Sequence, residues 1–176
     1  MFMTPTRNTD TTALKKPEEI QVGIADLKVS LSPNRIITLG LGSCVGVTFY
    51  DPTVRVGGLL HIMLPDSKQF NSAIKPAKFA DTGLPLMLNE FKKLGGKLHN
   101  IQAKMAGGAQ MFSGANQKLA LNIGERNVDM ARKVLKDMGI RVLANEVGGS
   151  RGRTMILDTT NGEVTIRTVG TPIKTI

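Results

Sequence analysis

Residues 36–50 read IITLGLGSCVGVTFY, and this stretch sets the class of the fold. Ile36, Ile37, Thr38 and Leu39 are β-branched or apolar and form a short buried strand. Gly40 and Gly42 then permit a turn that other residues would strain. Val45 to Tyr50 is β-branched and aromatic, hence a second strand, closed by the turn signal Asp51-Pro52. Two strands thus follow one another through a glycine turn, without a helix between them.

The flanks extend the same pattern. Val22, Ile24, Leu27 and Val29 alternate with polar residues after Ile20, which predicts a strand or a strand pair ahead of a turn at Pro33-Asn34. Val56 to Leu64 is apolar on both faces, the mark of a central strand, and Pro65 stops it. Helical spacing occurs twice. Leu84, Met87, Leu88, Phe91 and Leu94 share one face before Gly95-Gly96. Val128, Ala131, Val134, Leu135 and Met138 share another, between a capping box at Asn122 and Glu125 and a stop at Gly139. A strand follows each helix, Ile101 to Met105 and Ile140 to Val147. A hairpin, Thr154 to Thr159 and Glu163 to Val169, turns at Asn161-Gly162. Strands outnumber helices and are mostly consecutive. The expected class is therefore a mixed-sheet α/β (α+β) sandwich in one domain, not a doubly wound parallel fold. Residues 1–18 are polar and without periodicity, and read as a flexible tail before a domain spanning 19–176.

Composition narrows the function. With 176 residues, 41% of them apolar, the chain can bury a sizeable core. The start has no apolar h-region and no apolar run is long enough to span a bilayer, so a cytoplasmic protein without membrane insertion is expected. One cysteine and two histidines are too few for a cysteine-rich zinc site and exclude an internal disulfide. In a reducing compartment such a thiol stays free. The net charge of +9 comes from dispersed lysines and arginines, and aromatic residues are only 4% with no tryptophan. Stacking platforms for single strands are lacking, so no nucleic-acid partner is expected; a basic surface that steers an acidic protein partner accounts for the charge.

Cys44, at the end of the glycine turn, is the one candidate thiol nucleophile, although a free cysteine also packs as a small hydrophobe. Backbone N–H groups around Gly42, Ser43 and Cys44 can stabilise a tetrahedral oxyanion. A thiol needs a base, and only His61 and His99 are available. His61 lies in the strand expected to neighbour the one after Cys44, where it reads equally as a core histidine; His99 falls in an exposed loop. Thr38 lies six residues before Cys44 and can orient an imidazole, or can serve simply as a strand former. The run Gly40-x-Gly42-x-x-x-Gly46 misses the dinucleotide fingerprint by one residue. Gly148-Gly149-Ser150-Arg151-Gly152-Arg153 reads as a loop rather than an RNA-binding element.

Several stretches, in this order, carry a wider likeness. They are Thr38-Leu39-Gly40-Leu41-Gly42-Ser43-Cys44, Asp51-Pro52, His61-x-Met63-Leu64-Pro65 and Lys78-Phe79-Ala80-Asp81. Gly107-Gly108-Ala109-Gln110-Met111-Phe112, Ile123-Gly124-Glu125-Arg126-Asn127 and Gly148-Gly149-x-x-Gly152-Arg153 continue it to about residue 170. Together they resemble the CheD family of chemoreceptor glutamine deamidases. The resemblance implies an α/β sandwich similar to the catalytic domain of cytotoxic necrotising factor toxins. It implies a Cys-His-Thr trio at Cys44, His61 and Thr38, no metal or cofactor, and methyl-accepting chemotaxis receptors as substrate. It also implies a possible partner, the CheY-P phosphatase CheC. The alternative is a non-enzymatic regulator of a CheC-type phosphatase, with Met111 and Phe112 as a docking surface or as core.

Overall fold

A computed structural model of the chain describes residues 16–69, 75–110 and 122–176. The expected tail is therefore outside the described residues except for 16–18, which are exposed and without regular structure. Met111 and Phe112 also lie outside them.

Ten strands and two α-helices are described, in two five-stranded sheets. The strands are β1 (Glu19–Val22), β2 (Leu27–Leu31), β3 (Arg35–Leu41), β4 (Val45–Asp51) and β5 (Val56–Ile62), then β6 (Gln102–Gly107), β7 (Val142–Val147), β8 (Arg153–Asp158), β9 (Val164–Thr168) and β10 (Lys174–Thr175). Helix α1 (Ala80–Lys93) precedes β6, and α2 (Ile123–Asp137) links β6 to β7. One sheet runs β1-β3-β8-β9-β10 and the other β2-β5-β4-β6-β7. Each is mixed: β1 pairs parallel with β3 and β6 with β7, and the remaining pairs are antiparallel. The α/β sandwich expected from the sequence is what forms.

Strand alternation explains the layering. Val45, Val47 and Phe49 of β4 and Leu60 and Ile62 of β5 face the helices, where they bury Leu84, Met87, Phe91, Ala131 and Leu135. Phe91 meets Phe49 edge-on, with centroids 6.0 Å apart, which fixes α1 to the centre of the sheet. The opposite faces of β4 and β5 look at the first sheet, where Leu59 packs with Ile36, Leu41, Met155 and Leu157. Space there is tight. A Cβ on Gly57 would stand 2.5 Å from Thr159 Cγ2, and one on Gly46 2.8 Å from Met155 Sδ. The glycines inside these strands thus set the separation of the sheets.

Several local expectations change. The first alternating stretch is two strands that do not pair, because β1 joins β3 while β2 joins β5 across the sandwich. Helix α1 begins at Ala80 and carries Pro85 inside it, and Leu94 is an exposed cap residue rather than part of the apolar face. Asn122 starts α2 with its carbonyl, which accepts from Arg126 N–H at 2.8 Å, but its backbone is left-handed (φ 66°) and its side chain makes no cap bond. A capping box needs an extended N-cap residue, so the motif is present without the geometry. The hairpin β8–β9 forms, with a turn longer than the two residues Asn161-Gly162. Gly162 N–H donates to Asp158 O, and Asp158 N–H to Glu163 O.

Candidate active site

Strands β3 and β5, from different sheets, bring together two of the three residues expected from the sequence, and Cys44 lies just before β4, the strand paired with β5. Thr38 on β3 and His61 on β5 are fully buried and face each other across the sandwich. Thr38 Oγ1 lies 2.7 Å from His61 Nδ1 and 2.8 Å from Val22 O of the neighbouring β1. A hydroxyl has one proton, and a carbonyl can only accept. The Thr38 proton therefore goes to Val22 O, and Thr38 must accept from His61 Nδ1–H. This fixes the neutral tautomer with its lone pair on Nε2. Nε2 is buried and has no hydrogen-bond partner among the described residues.

Cys44 reaches the same layer by strand register. Val45 pairs with Ile62 and Gly46 with His61, so Gly46 and His61 share a face. Cys44, two residues before Gly46, returns to that face, half-buried against the Leu41, Leu59 and Met155 cluster. Burial pushes its thiol above the ordinary range, a shift that a backbone hydrogen bond partly offsets. Burial also lowers the His61 pKa from 6.5 to about 4. Near neutral pH the pair rests as thiol and neutral imidazole. His99 sits on an exposed 3-10 turn, Leu98–Asn100.

The turn carrying Cys44 is held by its carbonyls. Ala109 N–H donates to Gly42 O at 2.7 Å and Gly108 N–H to Cys44 O at 2.8 Å. Asn127 Nδ2 donates to Ser43 O at 2.9 Å. The N–H groups of Ser43 and Cys44 donate to no neighbouring residue among those described. Gly42, whose N–H was also expected to serve, donates it instead to Gly40 O at 2.8 Å. Gly107 (φ 105°) has no room for a Cβ, which would stand 2.2 Å from Cys44 O.

Sequence reasoning missed Asn127 and Arg153. Asn127 is fully buried and lies four and eight residues before Ala131 and Leu135, on the buried stripe of α2; a polar residue in that register was the available signal. Arg153, in the segment read as a loop, opens β8 with its guanidinium buried. It donates to Glu146 O and, at 2.6 Å, to Gly148 O, which fixes the glycine loop after β7. No cluster of metal-ligating side chains occurs among the described residues. Likewise, no helix among them is long and apolar enough to cross a membrane.

Comparison with known proteins identifies the family. A family model described as CheD chemotactic sensory transduction matches residues 63–168. A protein of Desulforamulus reducens named "Probable chemoreceptor glutamine deamidase CheD" is 67% identical over 158 residues, covering 90% of this chain and 95% of that one. The chain belongs to the CheD family. A CheD protein of Clostridium tetani bearing the same name is 52% identical over 159 residues, covering 90% of this chain and 96% of that one. Among solved structures, Neisseria meningitidis protein NMB0706 aligns with a TM-score of 0.47 at 12% identity, over 76% of this chain and 64% of that one.

His61 has a consequence for stability that needs no substrate. In the unfolded chain the imidazole takes a proton below about 6.5, and in the folded protein only below about 4. Between these values the unfolded state binds more protons, so stability falls as pH drops through that window and is regained above it. The loss is at most about 3 kcal/mol in total. The difference in urea midpoint between wild type and His61→Gln, followed across this pH range, measures it. A difference that stays constant with pH would show that His61 titrates normally.

Proposed function

We propose that this chain is a chemoreceptor glutamine deamidase in which Cys44 is the nucleophile, His61 the general base and acid, and Thr38 the group that orients the base. The observation that carries this reading is the Thr38–His61 bond, which leaves a bare imidazole lone pair buried in the layer that Cys44 enters. The names of the CheD relatives supply the substrate, a glutamine of a chemoreceptor.

Because thiol and imidazole both rest neutral, the proton moves from Sγ to His61 Nε2 as Sγ attacks the glutamine Cδ. The C=O bond opens to an oxyanion, which the N–H groups of Ser43 and Cys44 stabilise, with Gly42 allowing the turn. The oxyanion collapses, the C–N bond breaks, and His61 returns the proton to the departing nitrogen as ammonia. Water, deprotonated by His61, then attacks the thioester, releasing glutamate and the Cys44 thiol. The site acts from the cytoplasm on the receptor's cytoplasmic portion, and the basic chain (net charge +9) favours an acidic partner surface.

Incubation with a purified receptor cytoplasmic domain tests the reading. Mass spectrometry of receptor peptides should show the mass gain of Gln→Glu conversion at specific glutamines, with ammonia released in equal amount. No conversion on any receptor, alongside tight binding to a CheC-type phosphatase, would overturn it in favour of a purely regulatory protein.

A further inference from the structure

Asn127 stands behind the site, on the helix side of the second sheet, and its carboxamide spans two chain segments. Nδ2 donates to Ser43 O at 2.9 Å and to Met63 O at 3.0 Å. Ser43 immediately precedes Cys44, and Met63 lies two residues after His61. The ladder between β4 and β5 has its last pair at Val45–Ile62, so Asn127 bridges the strands where backbone pairing has stopped. Two carbonyls face the carboxamide, so both amide protons are needed, and Oδ1 is left buried without a partner among the described residues. Leaving that acceptor unpaired is costly, and the two donated bonds offset the cost.

Glycine contacts bring α2 close enough for this reach. A Cβ on Gly124 would stand 2.7 Å from Gly108 O, and one on Gly108 2.4 Å from Val128 Cγ2. The first turn of α2 therefore lies on the backbone of the loop after β6. That same loop donates Gly108 N–H to Cys44 O.

We infer that Asn127 is a positioning residue: its two hydrogen bonds fix the spacing between the Cys44 turn and the end of β5, and thereby the approach of Sγ to His61 Nε2. The residue touches neither substrate nor thiol. It acts through the backbone on both sides of the pair, and the inference rests on the assignment of Cys44 and His61 given above.

The test compares Asn127→Ala, Asn127→Asp and the milder Asn127→Ser with Leu135→Ala, which truncates a buried α2 side chain without contact to the turn. Three readouts are taken on each full-length protein: kcat and KM on a receptor cytoplasmic domain, the thermal midpoint, and the pH profile of Cys44 alkylation by iodoacetamide. In Asn127→Ala and Asn127→Asp, kcat should fall about 100-fold, the cost of displacing a reacting group by roughly an ångström, with KM unchanged. Asn127→Ser, which can still donate one bond, should fall in between. The alkylation midpoint should move to lower pH, because a loosened turn loses the burial that holds the thiol up. Leu135→Ala should lower the thermal midpoint but leave kcat and the alkylation profile of the folded protein unchanged.

Wild-type kcat and an unchanged alkylation profile in the Asn127 variants would overturn the inference. So would losses that only track the thermal midpoint, as in Leu135→Ala. Alkylation requires no substrate, so it judges the clamp even if Cys44→Ala retains deamidation and the chemistry above fails.

Discussion

Replacing Cys44 by alanine should lower turnover on chemoreceptor glutamine by on the order of 10⁵-fold or more, while the fold remains in place. Removing a nucleophile from a covalent hydrolase leaves only substrate binding and the oxyanion donors. The thiol is half-buried at the rim of an apolar cluster, so its truncation costs about 1 kcal/mol or less. Cys44→Ser separates geometry from chemistry. It keeps the shape and a hydroxyl, but a hydroxyl beside a weakly basic imidazole is a far poorer nucleophile, so it should be nearly as inactive. The chain has only one cysteine, which makes chemical modification decisive as well. A single iodoacetamide adduct, confirmed by intact mass, should abolish activity in step with its stoichiometry. The adduct should form slowly at neutral pH and faster as pH rises, because burial keeps the thiol protonated. Full activity in Cys44→Ala, or in fully alkylated protein, would remove Cys44 from the mechanism.

How much of this was legible in the sequence depends on the range of the interaction. The strand, glycine turn and strand around Cys44 are local, and β3 and β4 form nearly where periodicity places them. The central position of β5 could be read from its apolar faces, since a strand paired on both sides and covered above and below has no polar face to show. The separation of β1 and β2 into different sheets was not legible, because alternation sets which side chains share a face but not which strand lies alongside. That separation matters here: only β1 beside β3 brings Val22 O to the Thr38 hydroxyl and so settles the tautomer of His61. Asn127 was hidden for a related reason. Its partners are backbone carbonyls 84 and 64 residues away, and backbone atoms leave no trace in a pattern of side chains.

Thr38 provides the other large effect, and its size follows from counting protons. Thr38→Val removes the acceptor for His61 Nδ1–H and the donor to Val22 O, all within a fully buried site. Each group left unsatisfied costs about 1–3 kcal/mol, so stability should fall measurably in urea unfolding. The catalytic loss should be larger than this implies. Without Thr38, nothing specifies that the proton sits on Nδ1, and the imidazole can place its N–H, rather than its lone pair, toward the thiol. Removing the orienting partner from a triad costs about 10⁴-fold when that partner is a carboxylate, which also stabilises the imidazolium. A neutral hydroxyl orients without that charge, so a fall in kcat of about 10²–10³-fold is expected, with KM little changed. Thr38→Ser tests the same logic from the other side. It restores one hydroxyl proton and one acceptor at the same position, and should recover activity to within about tenfold of wild type, since only the methyl packing is lost. Equal activity in the valine and serine variants would mean that the 2.7 Å contact is structural and that His61 is oriented by something else.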